Sequence, residues 1–217
     1  TFKDHEEDKK VGLEDIDTLE DFEELMDLLE SYGMEVALTK LARSPQDAVD
    51  AASEVGFPVV LKIDSPDIRR PSNVDAVRKN IESRKEVKQA FKEIIDSVYA
   101  ETPESEIRGV KVQETVSGTE VSAGIHTSRN FGPYVRLQDL RKSQDGPVAI
   151  PPISREVAGM VTERSHGDLD NPEDLTELLM GLGEIGLEYH DALDSVSLDL
   201  LVDGSGRVKV VDSFLVP

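Results

Sequence analysis

Cysteine is missing from these 217 residues, so neither a disulfide framework nor thiolate chemistry is open to the chain. Also missing is any apolar run of the roughly 18 residues that a membrane-spanning helix requires. The opening residues lack the charged-then-apolar order of a secretory signal. Basic residues are scarce: 24 Lys and Arg against 45 Asp and Glu leave a net charge of -21. Charge of that sign repels phosphate backbones and anionic lipid, which excludes nucleic acid and membrane as partners. The acidic excess is spread along the whole chain and exceeds what solubility requires. We read it as adaptation to a salt-rich cytoplasm, where ions screen the self-repulsion over short distances. The four histidines, His5, His126, His166 and His190, show no metal-ligand spacing and no nucleophile partner. Among them only His190, just before the last hairpin, is placed near a candidate site.

What remains is enough chain to bury a real core, in one domain or two small lobes. Thr1 to Asp17 is dense in Asp, Glu and Lys and reads as a mobile tail. It begins without Met, as a processed chain or a fragment would. Thr18 looks like a helix N-cap, and Phe22, Leu25, Met26, Leu28 and Leu29 follow at helical spacing up to Gly33. Val36 to Leu41 reads as a short strand. Ser44-Pro45 opens a second helix with proline at its first position, and Gly56 ends it. Phe57 to Ile63 is then a strand, and Glu82 to Tyr99 a helix with Val87, Ala90, Phe91, Ile94, Ile95 and Val98 on one face. Gly109 to Val116 alternates like a half-buried strand. Asn171-Pro172 opens a last helix carrying Gly181, Gly183 and Gly186. Leu198 to Asp212 folds back on itself as a hairpin around Asp203-Gly204-Ser205-Gly206. Helices alternating with strands imply a mixed α/β fold.

Lys62 is the residue that asks for an explanation. It sits inside the apolar run Val59-Val60-Leu61-Lys62-Ile63, ahead of a polar, Pro-punctuated loop from Ser65 to Val77. A charge in such a strand must reach solvent, a counter-ion or a cleft. One reading is a lysine snorkelling at a sheet edge. The other is a lysine beside a loop where phosphate is held.

The stretch "LLESYGMEVALTKLARSPQDAVDAASEVGFPVVLKIDSPDI" resembles the opening of the ATP-grasp domain of ADP-forming acyl-CoA synthetases, the acetate–CoA ligases related to succinyl-CoA synthetase. The likeness continues through "VKVQETVSGTEVSAGIHTSRNFGPYV" and, more loosely, to the C-terminus, covering roughly Leu25 to Val216. It implies an α/β ATP-grasp fold spanning residues 18–217, with two α+β lobes and a nucleotide cleft between them, the smaller lobe at about 38–116. It implies ATP or ADP and Mg as cofactors, and a CoA-binding partner subunit or domain through which a small carboxylic acid or acyl phosphate is handled.

The resemblance also assigns residues. Lys62 inherits the phosphate contact. Gln113, Glu114, Thr115 and Val116 fall on the hinge that meets adenine and ribose, and Glu120 on an acidic position entering the cleft, although a lone Glu in a strand is equally a surface residue. Asp199 and Asp212 fall on the hairpin positions that hold Mg, with an outer-face role as the alternative. In that hairpin Asp199 falls where the family has Asn and Ser197 replaces an upstream Asp, and other features depart from the family as well. Its histidine, implicated in passing phosphate, falls at Arg70, which cannot carry phosphate that way. Its two loop glycines fall at Asp75 and Ala76, where Asp75 is expected to repel a phosphate. The segment from Arg136 to Gly146 reads as a trimmed closing loop, with Arg141 and Lys142 as surface residues or anion contacts. These departures leave two functions open: a nucleotide-binding ligase subunit, or a non-catalytic ATP-grasp module that binds a nucleotide or a partner.

Overall fold

The structure, a computed structural model, describes residues 22–68, 71–141, 146–169, 171–189 and 195–216. The acidic tail, the Thr18 cap, Arg70, Lys142, His5 and His190 lie outside the described residues. The chain divides into two compact units. One runs from Ala37 to Val116; the other joins the residues up to Val36 with those from Ser117 onward.

In the first unit the order is β1 (Thr39–Ala42), α1 (Pro45–Val55), β2 (Val59–Asp64), β3 (Val77–Ile81), α2 (Arg84–Glu101) and β4 (Gly109–Glu114). The strands pair antiparallel in the spatial order β1-β4-β2-β3. Alternation decides what each face carries. Val59, Leu61 and Ile63 of β2, Val110 and Val112 of β4, and Ala42 join one core with Ala48, Val49 and Ala52 of α1 and Val87, Phe91, Ile94 and Val98 of α2. The opposite face is left to Thr39, Val60, Lys62, Asp64, Lys111 and Gln113.

Local sequence fixes where α1 begins. The Ser44 hydroxyl accepts a hydrogen bond from the Asp47 N–H at 3.1 Å, with Pro45 in the first turn. Gly56 closes the helix at φ 95°, a conformation that disfavours any residue with a Cβ. Ser44→Ala is expected to cost about 1 kcal/mol, read as a lower urea midpoint with an unchanged slope.

The second unit contributes α3 (Phe22–Ser31), β5 (Thr119–Ser128), β6 (Gly132–Asp139), β7 (Val148–Ala149), α4 (Arg155–His166), α5 (Glu173–Glu188), β8 (Ser195–Val202) and β9 (Val208–Val216). Its five strands are antiparallel in the order β7-β6-β5-β8-β9. Leu25 and Leu29 of α3, Ala158 and Val161 of α4, and Leu175, Leu179, Leu182 and Ile185 of α5 pack with Val121, Ala123, Ile125, Val135, Leu137, Val196, Leu198 and Leu200. The α5 glycines serve this packing. A Cβ at Gly183 would stand 3.0 Å from the Ile153 side chain, and one at Gly186 3.1 Å from Ile125 Cγ2. No helix among the described residues is long and apolar enough to cross a membrane.

Two sequence expectations change. The span from Arg136 to Gly146 was expected to be a loop, yet its first four residues complete the eight-residue strand β6. Phe131-Gly132-Pro133 suggested a turn, and the turn ends at Gly132, from which the chain pairs at once with Ser128. Strand β3 was not expected, because Val77-Arg78-Lys79-Asn80-Ile81 is mostly polar. It is an edge strand, where such residues are at home.

Candidate functional site

Lys62 sits on the helix-free side of the first unit's sheet and is only 7% exposed. It is not a snorkelling edge residue, since β2 lies between β3 and β4. Register puts it directly opposite Lys111 on β4 and Val77 on β3. Like charges facing each other across strands repel. The Asp64 carboxylate lies 3.0 Å from Lys111 Nζ, with both groups mostly buried. An anion brought to this face would be attracted by the lysines. Lys111 and Asp64 were not singled out from the sequence. The only signal was that Lys111 falls on the polar phase of the β4 alternation.

Of the residues expected to form a hinge, Gln113 and Glu114 end β4 and Thr115 and Val116 come just after it. Gln113 is 4% exposed and donates from Nε2 to Thr39 Oγ1 at 2.7 Å. Glu114 accepts from the Leu38 N–H at 2.9 Å, while its own N–H donates to Leu38 O at 2.9 Å. Its carboxylate therefore ties the chain entering β1 to the end of β4. Thr115 donates its N–H to Pro58 O at 3.3 Å, and its Oγ1 is buried with no hydrogen-bond partner among the described residues. Val116 is half-buried and ends the unit.

The loop between β2 and β3 keeps a glycine-like backbone without glycine. Asp75 has φ 49°, in the left-handed region. Its carboxylate accepts from Arg78 Nη1 and Nη2 at 3.1 Å each, and its carbonyl from Nη1 at 2.8 Å. Arg78 also reaches Glu93 at 3.1 Å. The negative charge of Asp75 is thus already engaged by a guanidinium, which weakens its expected repulsion of a phosphate. Ala76 is fully buried and closes the loop through Ala76 N–H to Pro71 O at 2.9 Å.

In the second unit, α3, α4 and α5 cover one face of the sheet. The other face carries polar residues in rows set by the register. Gln138, Ser122, Asp199 and Asp212 form one row across β6, β5, β8 and β9. Arg136, Gly124, Ser197 and Phe214 form the next, and Tyr134, His126 and Ser195 the one after. Glu120 stands exposed on this face opposite Leu201.

The meeting of Asp199 and Asp212 depends on a bulge. Leu200 pairs with Val210 and Asp199 with Asp212, so Val211 is an extra residue in β9. Strict alternation from the buried Val208 and Val210 would send Asp212 into the core. The bulge turns it out beside Asp199, the kind of re-aiming that bulges perform. Both carboxylates are half-buried. Among the described residues no group of three or more His, Cys, Asp or Glu assembles, so this pair supplies two protein ligands at most. That suits Mg, which keeps waters and takes nucleotide phosphate oxygens alongside one or two carboxylates.

These two faces can be set beside known proteins. The model of the ATP-grasp domain matches residues 13–167. The chain belongs to the ATP-grasp family. Among curated relatives of this ATP-grasp chain, the beta subunit of acetate–CoA ligase [ADP-forming] I from Pyrococcus furiosus is 30% identical over 180 residues, covering 76% of this chain and 78% of the subunit. The acetate–CoA ligase [ADP-forming] I of Archaeoglobus fulgidus is 32% identical over 182 residues. That match spans 77% of this chain but 26% of the longer enzyme, so the chain corresponds to about a quarter of it. Among solved structures, the dinucleotide forming acetyl-coenzyme A synthetase 1 of Ca. Korarchaeum cryptofilum, in complex with coenzyme A, Ca-AMPCP and HgCl+, superposes with a TM-score of 0.79 at 30% identity. The superposition covers 89% of this chain and 91% of that one. The two-lobed ATP-grasp fold expected from the sequence is the fold of this chain.

Proposed function

We propose that this ATP-grasp chain is the Mg-ATP/ADP-binding part of an ADP-forming acyl-CoA ligase, working with a CoA-binding partner subunit or domain in a cytoplasm rich in salt. Lys62 carries the reading: a lysine 7% exposed, facing Lys111, on a sheet face of a protein whose net charge is -21. In this reading Lys62 holds nucleotide phosphates and the segment Gln113 to Val116 meets the base and ribose. The hydrogen bond that the Leu38 N–H donates to the Glu114 carboxylate helps fix the shape of that segment. Glu120 is placed at the entry, and Asp199 with Asp212 holds the metal. Bound Mg would neutralise phosphate charge. The small carboxylic acid or its acyl phosphate reaches the nucleotide through the partner.

A second reading has its own observation. Where the family carries two glycines, Asp75 engages Arg78 and Ala76 is fully buried. Tied down in this way, Asp75 and Ala76 offer less backbone to a closely approaching phosphate than glycines would, which favours a module that binds nucleotide without transferring phosphate.

Calorimetric titration with Mg-ATP and Mg-ADP in multimolar KCl tests the shared part. Micromolar binding, about -8 kcal/mol, is expected. Absence of heat and of thermal stabilisation with either nucleotide would sink both readings. An acyl-CoA synthesis assay with a candidate partner then separates them. Asp212→Asn is expected to weaken Mg-nucleotide binding roughly tenfold and to flatten its dependence on Mg concentration. An unaltered Mg dependence would remove Asp212 from the metal.

A further inference from the structure

The charge of this chain is unevenly divided. Of its 24 basic and 45 acidic residues, 13 and 14 fall between Ala37 and Val116. The first unit is therefore nearly neutral, and the rest of the chain carries almost the whole negative excess. Four of those 13 cations, Arg84, Lys85, Lys88 and Lys92, lie in the first nine residues of α2. All four are exposed, and none has an ion-pair partner among the described residues. The neighbouring acids are turned elsewhere. Glu86 accepts from the Glu82 N–H at 2.9 Å, and Glu93 from Arg78 and Gln89 at 3.1 and 2.8 Å.

The arrangement destabilises the free helix. Arg84 and Lys85 stand in its first turn, where positive charge opposes the helix dipole. Arg84 with Lys88, Lys85 with Lys88, and Lys88 with Lys92 are like charges three or four residues apart, each pair repelling across one turn. Val87, Ala90, Phe91, Ile94 and Val98 face the core and fix the rotation of the helix, so the four cations share one outward side. Tyr99, 56% exposed, continues that side two turns beyond Lys92. Asp96 lies at its margin and pairs with none of the four. A local rule broken on an otherwise well-capped, well-packed helix marks a functional surface.

We propose that this side of α2 docks an acidic segment of a partner protein, its carboxylates meeting Lys85, Lys88 and Lys92 and its end packing on Tyr99. The lysine row is about 10 Å long at the helical rise per residue, which suits a short run of carboxylates. A polynucleotide would run past it, and the negative excess of the rest of the chain repels a polyanion of any length. Salt confines the attraction to charges in contact, which favours carboxylates held in place on a folded partner over a diffuse polyanion. A tyrosine at the end of the row, with an apolar ring and a polar tip, has the chemistry of an interface anchor. The row lies on the helix side of the first unit's sheet, opposite the face that carries Lys62, so the inference does not rest on the nucleotide reading.

The test is fluorescence anisotropy of the full chain with a labelled oligo-glutamate peptide and, separately, with a single-stranded oligonucleotide of equal charge, over a KCl series. Saturable peptide binding is expected, weakening as KCl rises and tighter than binding of the oligonucleotide. Lys88→Glu should weaken it at least tenfold and flatten its salt dependence, while Mg-ATP binding stays in place. Tyr99→Ala should weaken it with the salt dependence unchanged. Lys88→Glu also turns three repelling pairs into attracting ones, so the free variant should melt about 2–4 °C above wild-type. Should it fail to fold, Lys88→Gln carries the same expectations at smaller size. No saturable peptide binding would overturn the proposal, as would wild-type affinity in Lys88→Glu or a midpoint that does not rise. Tighter binding of the oligonucleotide would overturn the protein partner. So would self-association abolished by Lys88→Glu without peptide binding, which would give the surface to a second copy.

Discussion

Lys62→Met is expected to weaken Mg-ATP and Mg-ADP binding by about 2–3 kcal/mol, the usual worth of a hydrogen bond to a charged group, or about 30- to 150-fold. Methionine keeps the length and most of the aliphatic stem, so packing against Val77 on one side and Lys111 on the other is largely preserved. What disappears is a positive charge held at 7% exposure. Lys111 cannot replace it, because its ammonium is engaged by Asp64 at 3.0 Å. The far-UV circular dichroism spectrum should be unchanged, which would confine the loss to the ligand. Calorimetry checks the affinity. Wild-type binding by Lys62→Met would make this lysine a structural residue and move the phosphate contact elsewhere.

Leu200→Ala should produce the largest loss of stability. Leu200 is 1% exposed and lies directly behind the bulge that turns Asp212 outward. Truncating a buried leucine costs about 2–5 kcal/mol, made of lost transfer energy and an unfilled cavity. For a chain of this size each kcal/mol lowers the melting midpoint by about 2–4 °C. The two units have separate cores, so the effect should be local. Hydrogen exchange is expected to accelerate in β5, β8 and β9, where the cavity opens, and to remain near wild-type in β2 and β4. Equal acceleration in both units would mean that they unfold as one body.

Much of the first unit was legible because its signals are local. Ser44-Pro45 starts a helix and Gly56 stops it, each by backbone chemistry that needs no distant partner. Lys62 stood out because a charge in an apolar strand must have a reason. Glu114 was harder. Resemblance alone put it on an expected hinge, and only the fold reveals that its carboxylate accepts from the Leu38 amide. His126 and Arg136 were passed over for the opposite reason. Tyr134 follows His126 by eight positions and Arg136 follows it by ten, and nothing in that spacing announces a cluster until β5 and β6 pair. Strand β6 itself was hidden by Gly132-Pro133, a pair that ordinarily marks a turn. The placement of Asp212 was least accessible of all, because the alternation that reads Val208 to Val210 correctly gives the wrong face for Asp212 and for the residues after it.

That last point bears on how such a site is lost or kept. The face that Asp212 presents is a matter of parity, and Val211 is an odd residue out of step with β8. Removing Val211 would let Asp212 follow Val210 directly, so plain alternation would still turn it outward opposite Asp199, in a hairpin without a bulge. The bulge is what lets the extra residue be carried without flipping the aspartate. In this hairpin loss of that one residue is therefore a lighter event than a substitution at either aspartate. Sequences that agree at Asp199 and Asp212 but lack one residue before the second aspartate should be counted as having kept the pair.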